Sequence, residues 1–136
     1  TFTPGFTDIS TPLEDVFRDK KGVCQDYAHF TLACLRSIGL AARYMSGYIE
    51  TIPPPGKPKL EGSDASHAWI SLYIPESGWV EFDPTNNLLV NDQHIRVATG
   101  RDFSDIIPLK GIVYSGGGQE MVVKVDVSRV TNNSTV

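Results

Sequence analysis

Three side chains in this sequence could act together on an electrophilic carbon: the thiol of Cys24, the imidazole of His67 and the carboxylate of Asp83. A thiol becomes a strong nucleophile when it loses its proton, and imidazole moves protons near neutral pH. A carboxylate can hold the imidazole's second nitrogen. Pattern alone brings two of the three together. Segments 67–74 and 79–84, separated by Pro75-Glu76-Ser77-Gly78, read as a β-hairpin. With the turn centred on Glu76, Leu72 faces Val80 and Ile70 faces Phe82, with Ala68 alongside, which makes one apolar face. His67, Trp69, Ser71 and Tyr73 then share the opposite face with Trp79, Glu81 and Asp83. A slip of one residue would mix both faces, so the pattern selects this register. It sets Asp83 opposite Trp69 and makes His67 its diagonal neighbour, about 7–8 Å away and within reach of a carboxylate–imidazole contact. The plainer reading of Asp83, which precedes Pro84, is that it opens a turn.

Cys24 follows Gly22-Val23 at the expected start of a helix. The unpaired N–H groups and the dipole there favour an anion, whether a thiolate or a developing oxyanion. A helix end contributes at most about 2 kcal/mol, too little to activate a thiol alone. A protonated imidazole about 4 Å away would add about 4 kcal/mol at an effective dielectric of 20. Cys24 therefore needs His67 beside it and Asp83 on the ring's other nitrogen, as nucleophile, base and orienter. A cysteine at such a position, taken alone, is more often a buried structural thiol. The pairing with His67 and Asp83 is what raises it above that reading.

The elements that must hold these groups follow from periodicity. Thr11-Pro12-Leu13-Glu14 has capping-box spacing with Pro at the first helical position, and predicts a short helix over 12–20. Gly22 separates it from a second helix over 24–38 that Gly39 closes. There Tyr27, Thr31, Cys34, Leu35 and Ile38 recur at helical spacing, while Ala28, Phe30, Leu32 and Ala33 cover much of the remainder. The pattern predicts a helix buried nearly all round, with Cys34 inert in the core. Strand-like runs cover 42–49, the hairpin and a C-terminal stretch. In the last, Met121, Val123, Val125 and Val127 alternate with Glu120, Lys124, Asp126 and Ser128 after Gly116-Gly117-Gly118. Helices followed by strands on short turns predict an α+β fold with a mainly antiparallel sheet. The proline-rich stretch 52–64 cannot join a ladder and reads as a surface loop at the rim of a cleft.

Composition sets the outer limits. The 136 residues are 40% apolar and 21% charged, with a formal net charge of −4. That suits one globular domain over residues 1–136 with its own core, and it provides no basic footprint for nucleic acid. The start at Thr1 suggests a piece of a longer protein, and no apolar run approaches the ~18 residues of a membrane span. Cys24 and Cys34, ten residues apart on one helix, would sit about 15 Å apart, so free thiols and a reducing, cytoplasmic compartment are expected. His29 lies five residues after Cys24, and with His94 the trio matches no paired-ligand spacing, so no metal is expected. Gln25 and Asp26 could order the nucleophile or substrate, or cap the helix. Trp69 and Trp79 could frame a cleft or pack across the sheet. Arg101 and Asp102 read as a structural ion pair.

The set Gly22-Val23-Cys24-Gln25-Asp26-Tyr27-Ala28-His29, Ile38-Gly39-Leu40-Ala41-Ala42-Arg43-Tyr44, Ser66-His67-Ala68-Trp69 and Gly78-Trp79-Val80-Glu81-Phe82-Asp83-Pro84-Thr85 resembles the bacterial transglutaminase-like family. Ile95, Ala98-Thr99-Gly100-Arg101-Asp102 and Gly111 extend the likeness, and the motifs are specific as an ordered set. The resemblance implies a papain-like core, in which a buried N-terminal helix packs on a mainly antiparallel sheet. It implies Cys24 as nucleophile, His67 as acid/base and Asp83 as orienter. The implied chemistry is thiol-dependent acyl transfer or hydrolysis on peptide or glutamine amides through a thioester, with no cofactor and a polypeptide or small amide as partner. The backbone N–H of Cys24 is the expected first oxyanion donor. A cysteine protease, isopeptidase or deamidase would use the same triad. A binding module that kept the fold without the activity is the non-enzymatic alternative. Only about ten residues precede the first helix, fewer than in the longer relatives.

Overall fold

The hairpin forms in the register its side-chain pattern selects, with Ile70 opposite Phe82 and Leu72 opposite Val80. Its turn is closed by two residues at positive φ, Glu76 (68°) and Gly78 (78°). The computed structural model describes residues 1–60, 64–108, 111, 112, 114 and 122–130. Two helices come first, α1 (Leu13–Asp19) and α2 (Cys24–Ser37). Five strands follow: β1 (Ala42–Ile49), β2 (Ala65–Ile74), β3 (Gly78–Asp83), β4 (Leu88–Leu89) and β5 (His94–Gly100). A short 3-10 helix spans Phe103–Asp105. The strands form one sheet in the order β4-β3-β2-β1-β5, with every neighbouring pair antiparallel.

The core lies between α2 and the central strands. Ala28 and Leu32 of α2 meet Tyr44 of β1 and Ala68 and Ile70 of β2, with Cys24, Leu35, Leu72 and Phe82 packed at its edge. Each large apolar side chain buried here contributes about 1.5–3 kcal/mol, and the contact fixes how the helix start sits over the sheet. The α+β architecture agrees with the sequence pattern, but the helix is less enclosed than its composition suggested. Only Asp26, Ala28 and Leu32 of α2 are fully buried. Cys34 is exposed, not core, and Ile38 is 72% exposed. The sheet covers one side of the helix, and α1 adds only a partial second cover, stacking Phe17 on Phe30 with centroids 5.5 Å apart.

Local details differ in three places. The Thr11 hydroxyl accepts the Asp8 N–H at 2.9 Å, so Pro12 stands at the N-cap of α1 and no capping box forms there. Strand β5 is an addition to the expected strands: its side chains are half exposed, with Ile95 at 42% and Val97 at 63%, and its short alternation carries no clear buried face. The expected C-terminal strand falls partly on residues 115–121, outside the described residues. Over 122–130 the chain makes an isolated bridge from Val125 to Asp64. Among the described residues no helix is long and apolar enough to cross a membrane.

Candidate active site

The start of α2 is built around Asp26. Its carboxylate accepts the Val23 N–H at 2.7 Å and the Thr7 hydroxyl at 2.6 Å, so it caps the helix. Gly22 leaves room for it, since a Cβ there would lie 2.7 Å from Asp26 Oδ2. Asp26 thus takes the capping role, and Gln25 follows Cys24, half-buried, on the same first turn. Cys24 is the first residue of α2 and is partly buried. At that position its backbone N–H has no acceptor within the helix.

His67 projects from β2 with its side chain 7% exposed, and its Nε2 lies 2.7 Å from Asp83 Oδ2. Burial would lower its pKa, but the hydrogen bond to Asp83 and the neighbouring Cys24 outweigh that and raise it to about 9. The ring is therefore an imidazolium through neutral pH. Asp83, the last residue of β3, has a fully buried side chain whose two oxygens do different work. Oδ1 accepts the N–H groups of Thr85 (3.0 Å) and Asn86 (3.1 Å), which closes the turn after the strand. Oδ2 accepts from His67 and also from the Asn86 side-chain amide at 2.7 Å. Burial alone would raise the Asp83 pKa, yet these donors hold it well below the usual carboxylate range. Asp83 thus closes the turn through one oxygen and bonds the His67 ring through the other.

A second imidazole reaches the same carboxylate. His94 of β5 places Nε2 3.0 Å from Asp83 Oδ2. In the sequence His94 carries only a metal reading, because 94–100 shows no clear strand alternation and nothing local links residues 83 and 94. The one available signal was Gly47, an isolated glycine within a strand, which marks close backbone approach. Gly47 pairs with His67 on one side and Arg96 on the other. A Cβ at Gly47 would strike the Ile95 carbonyl oxygen and lie 2.8 Å from the Trp69 ring. Without it, side chains from β2 and β5 meet across β1.

Trp69 is fully buried and packs beside His67, with ring centroids 6.0 Å apart, and its Nε1–H donates to Glu81 at 2.8 Å. It is a wall behind the imidazole, held by a carboxylate that also binds Arg96 at 2.6 Å. Trp79 is elsewhere. It pairs with Tyr73, six residues along β2 from His67 and so roughly 20 Å away. There it lies under the Arg43 guanidinium, 4.0 Å from the ring centroid, so it packs at the hairpin tip and frames no cleft around Cys24. His29 accepts the Phe103 N–H at 3.2 Å and lies against Tyr44, a structural placement in which burial lowers its pKa. Arg101 and Asp102 do pair, at 3.1 Å.

The ligand atoms of His67, Asp83 and His94 all lie within 4.8 Å of one another, the reach of a metal cluster. The two ring nitrogens lie 2.7 and 3.0 Å from one carboxylate oxygen, at hydrogen-bonding distance. The geometry supports proton traffic beside a sulfur at a helix N-terminus.

Comparison with known proteins gives the same family. An uncharacterized protein of Mycobacterium tuberculosis is 46% identical over 132 residues, covering 93% of this chain and 42% of the relative. The chain thus spans less than half the length of that protein. A protein-glutamine gamma-glutamyltransferase of Pseudomonas aeruginosa is 33% identical over 86 residues, covering 62% of this chain and 13% of the enzyme. The crystal structure of a candidate cysteine protease from Cytophaga hutchinsonii superposes with a TM-score of 0.63 at 32% identity, over 78% of this chain and 33% of that one. The sequence model of the transglutaminase-like superfamily matches residues 2–84, a span that contains Cys24, His67 and Asp83 and stops short of His94. With that match over more than half its length, the chain belongs to the transglutaminase-like superfamily.

Proposed function

We propose that this domain is a thiol-dependent acyltransferase or amide hydrolase acting on peptide or glutamine amides, with Cys24 as nucleophile, His67 as acid/base and Asp83 as orienter. The observation that carries this reading is His67, bonded through Nε2 to a buried carboxylate and raised in pKa by both Asp83 and Cys24. The Cys24 sulfur attacks the amide carbonyl carbon and forms a C–S bond, and the carbonyl oxygen takes up negative charge beside the Cys24 N–H. As the C–N bond breaks, His67 gives its proton to the departing amine or ammonia, leaving a thioester. Water or a second amine then attacks, His67 accepts the proton from it, and the C–S bond breaks to return the thiolate. A triad does not choose between water and an amine, so protease, isopeptidase, deamidase and cross-linking activities are versions of one mechanism.

The exposed Cys34 is a built-in control for reactivity. With iodoacetamide at pH 6, alkylation of Cys24 is expected to be at least about 10-fold faster than that of Cys34, despite Cys24 being the less accessible. Equal rates, or faster reaction at Cys34, would sink the reading and favour a binding module. Incubation with a glutamine-containing peptide library should leave an acyl adduct on Cys24, detected by mass spectrometry. Cys24→Ala should lose that adduct and all turnover while its melting temperature stays near wild type.

A further inference from the structure

His94 is the group that the acyl-transfer reading leaves unused. Its side chain is 1% exposed, and a buried imidazole costs free energy unless its nitrogens are partnered. Both are: Nδ1 faces Asn91, accepting its backbone N–H at 3.5 Å with the side-chain Oδ1 at 3.2 Å, and Nε2 lies 3.0 Å from Asp83 Oδ2. The ring stands edge-on to Trp69, with centroids 5.3 Å apart, and is 5.9 Å from the His67 ring. Asp83 Oδ2 therefore serves three side-chain donors, from His67, Asn86 and His94. A carboxylate oxygen shared in this way gives each donor a weaker hold than it would give one donor alone. The positive end of the His94 N–H dipole also disfavours positive charge on the neighbouring ring.

We propose that His94 is a positioning residue of the triad: by taking a share of Asp83 Oδ2, it limits how firmly that carboxylate holds the His67 proton and leaves His67 able to pass it to a departing amine. This rests on the acyl-transfer reading. A general acid works best when its proton is not bound far more tightly than the working pH requires. The groups facing His67 are Cys24 from α2, Asp83 from β3 and His94 from β5, with the Glu81–Arg96 pair behind Trp69. Among them Asp83 binds the His67 proton most directly, and His94 is the only other ring that competes for the same oxygen.

The chain holds three histidines, so ring-proton NMR can follow His67 individually. His94→Phe keeps an aromatic ring against Trp69 and removes the donor. Its His67 titration midpoint is expected to rise by at least about 0.5 pH unit. His94→Gln restores an N–H donor and should bring the midpoint back toward wild type. Loosened packing would also relieve burial of the ring and raise the midpoint, so the proposal needs both results: an unchanged or lowered value in His94→Phe, or a His94→Gln midpoint as high as that of His94→Phe, overturns it; His94→Leu carries the same expectation as His94→Phe if the Phe variant does not fold. On acyl donors, His94→Phe should slow amide turnover at least about 10-fold more than turnover of activated esters, whose leaving groups need no proton. Equal slowing of both also overturns it. The underlying reading fails separately, if wild-type Cys24 alkylates no faster than Cys34 while the His67 shift is still seen.

Discussion

The carboxylate of Asp83 divides its work: Oδ1 ties the turn through Thr85 and Asn86, while Oδ2 holds His67. Removing its charge while keeping its shape therefore tests the electrostatics. The His67 pKa is raised from 6.5 to about 9 on folding, so its contribution to stability is fully present below pH 6.5 and is lost as pH rises through 9. Asp83 is shifted the other way from 3.8, so its contribution is present above pH 3.8 and lost as pH falls. Asp83→Asn retains an acceptor for the turn and abolishes both effects. The stability gap between wild type and this variant, from urea unfolding, should be widest between pH 3.8 and 6.5 and should narrow toward pH 9 as the His67 part is lost. A gap that stays constant across that range would show that the His67–Asp83 pair is not coupled to folding. Each of these two residues could be placed from the hairpin pattern, because period-2 alternation and a turn set which side chains share a face. His94 could not, because its link to Asp83 crosses two other strands.

At the level of elements, the site depends on how closely β5 approaches β1 beside β2. Gly47 permits that approach, at the point where the β1–β5 register shifts between Ser46 and Gly47. Gly47→Ala would force its methyl group against the Ile95 carbonyl and the Trp69 ring. Overpacking of this kind costs about 1–3 kcal/mol, and here the strain would fall on β5 and so displace His94. The expected result is a lowered melting temperature together with slower Cys24 alkylation; wild-type values for both would refute the role given to this glycine. The start of α2 shows the complementary case, since Gly22 and Asp26 are close in sequence and form a local cap that capping rules anticipate.

For the whole molecule, the C-terminal segment is tied back through one buried carboxylate. Asp64 accepts the N–H groups of Thr51 (2.6 Å) and Val127 (2.5 Å) and pairs with Lys59 at 2.7 Å. Arg129 adds contacts to Glu50 and Asp92, each at 2.7 Å. Asp64→Ala should release this segment and speed tryptic cleavage at Lys124 and Arg129 while the α2–sheet core keeps its unfolding midpoint. Unchanged cleavage would mean that the Arg129 contacts suffice. Patterns of three or four residues along a helix and two along a strand were enough to read α1, α2, β1 and the hairpin, and with them the neighbourhood of His67 and Asp83. Such patterns report which face a side chain occupies, not what lies against that face. The half-open environment of α2, the exposure of Cys34, the distance of Trp79 and the arrival of His94 all depend on contacts between segments distant along the chain. Those contacts are set by packing volume and strand order, which no local spacing encodes.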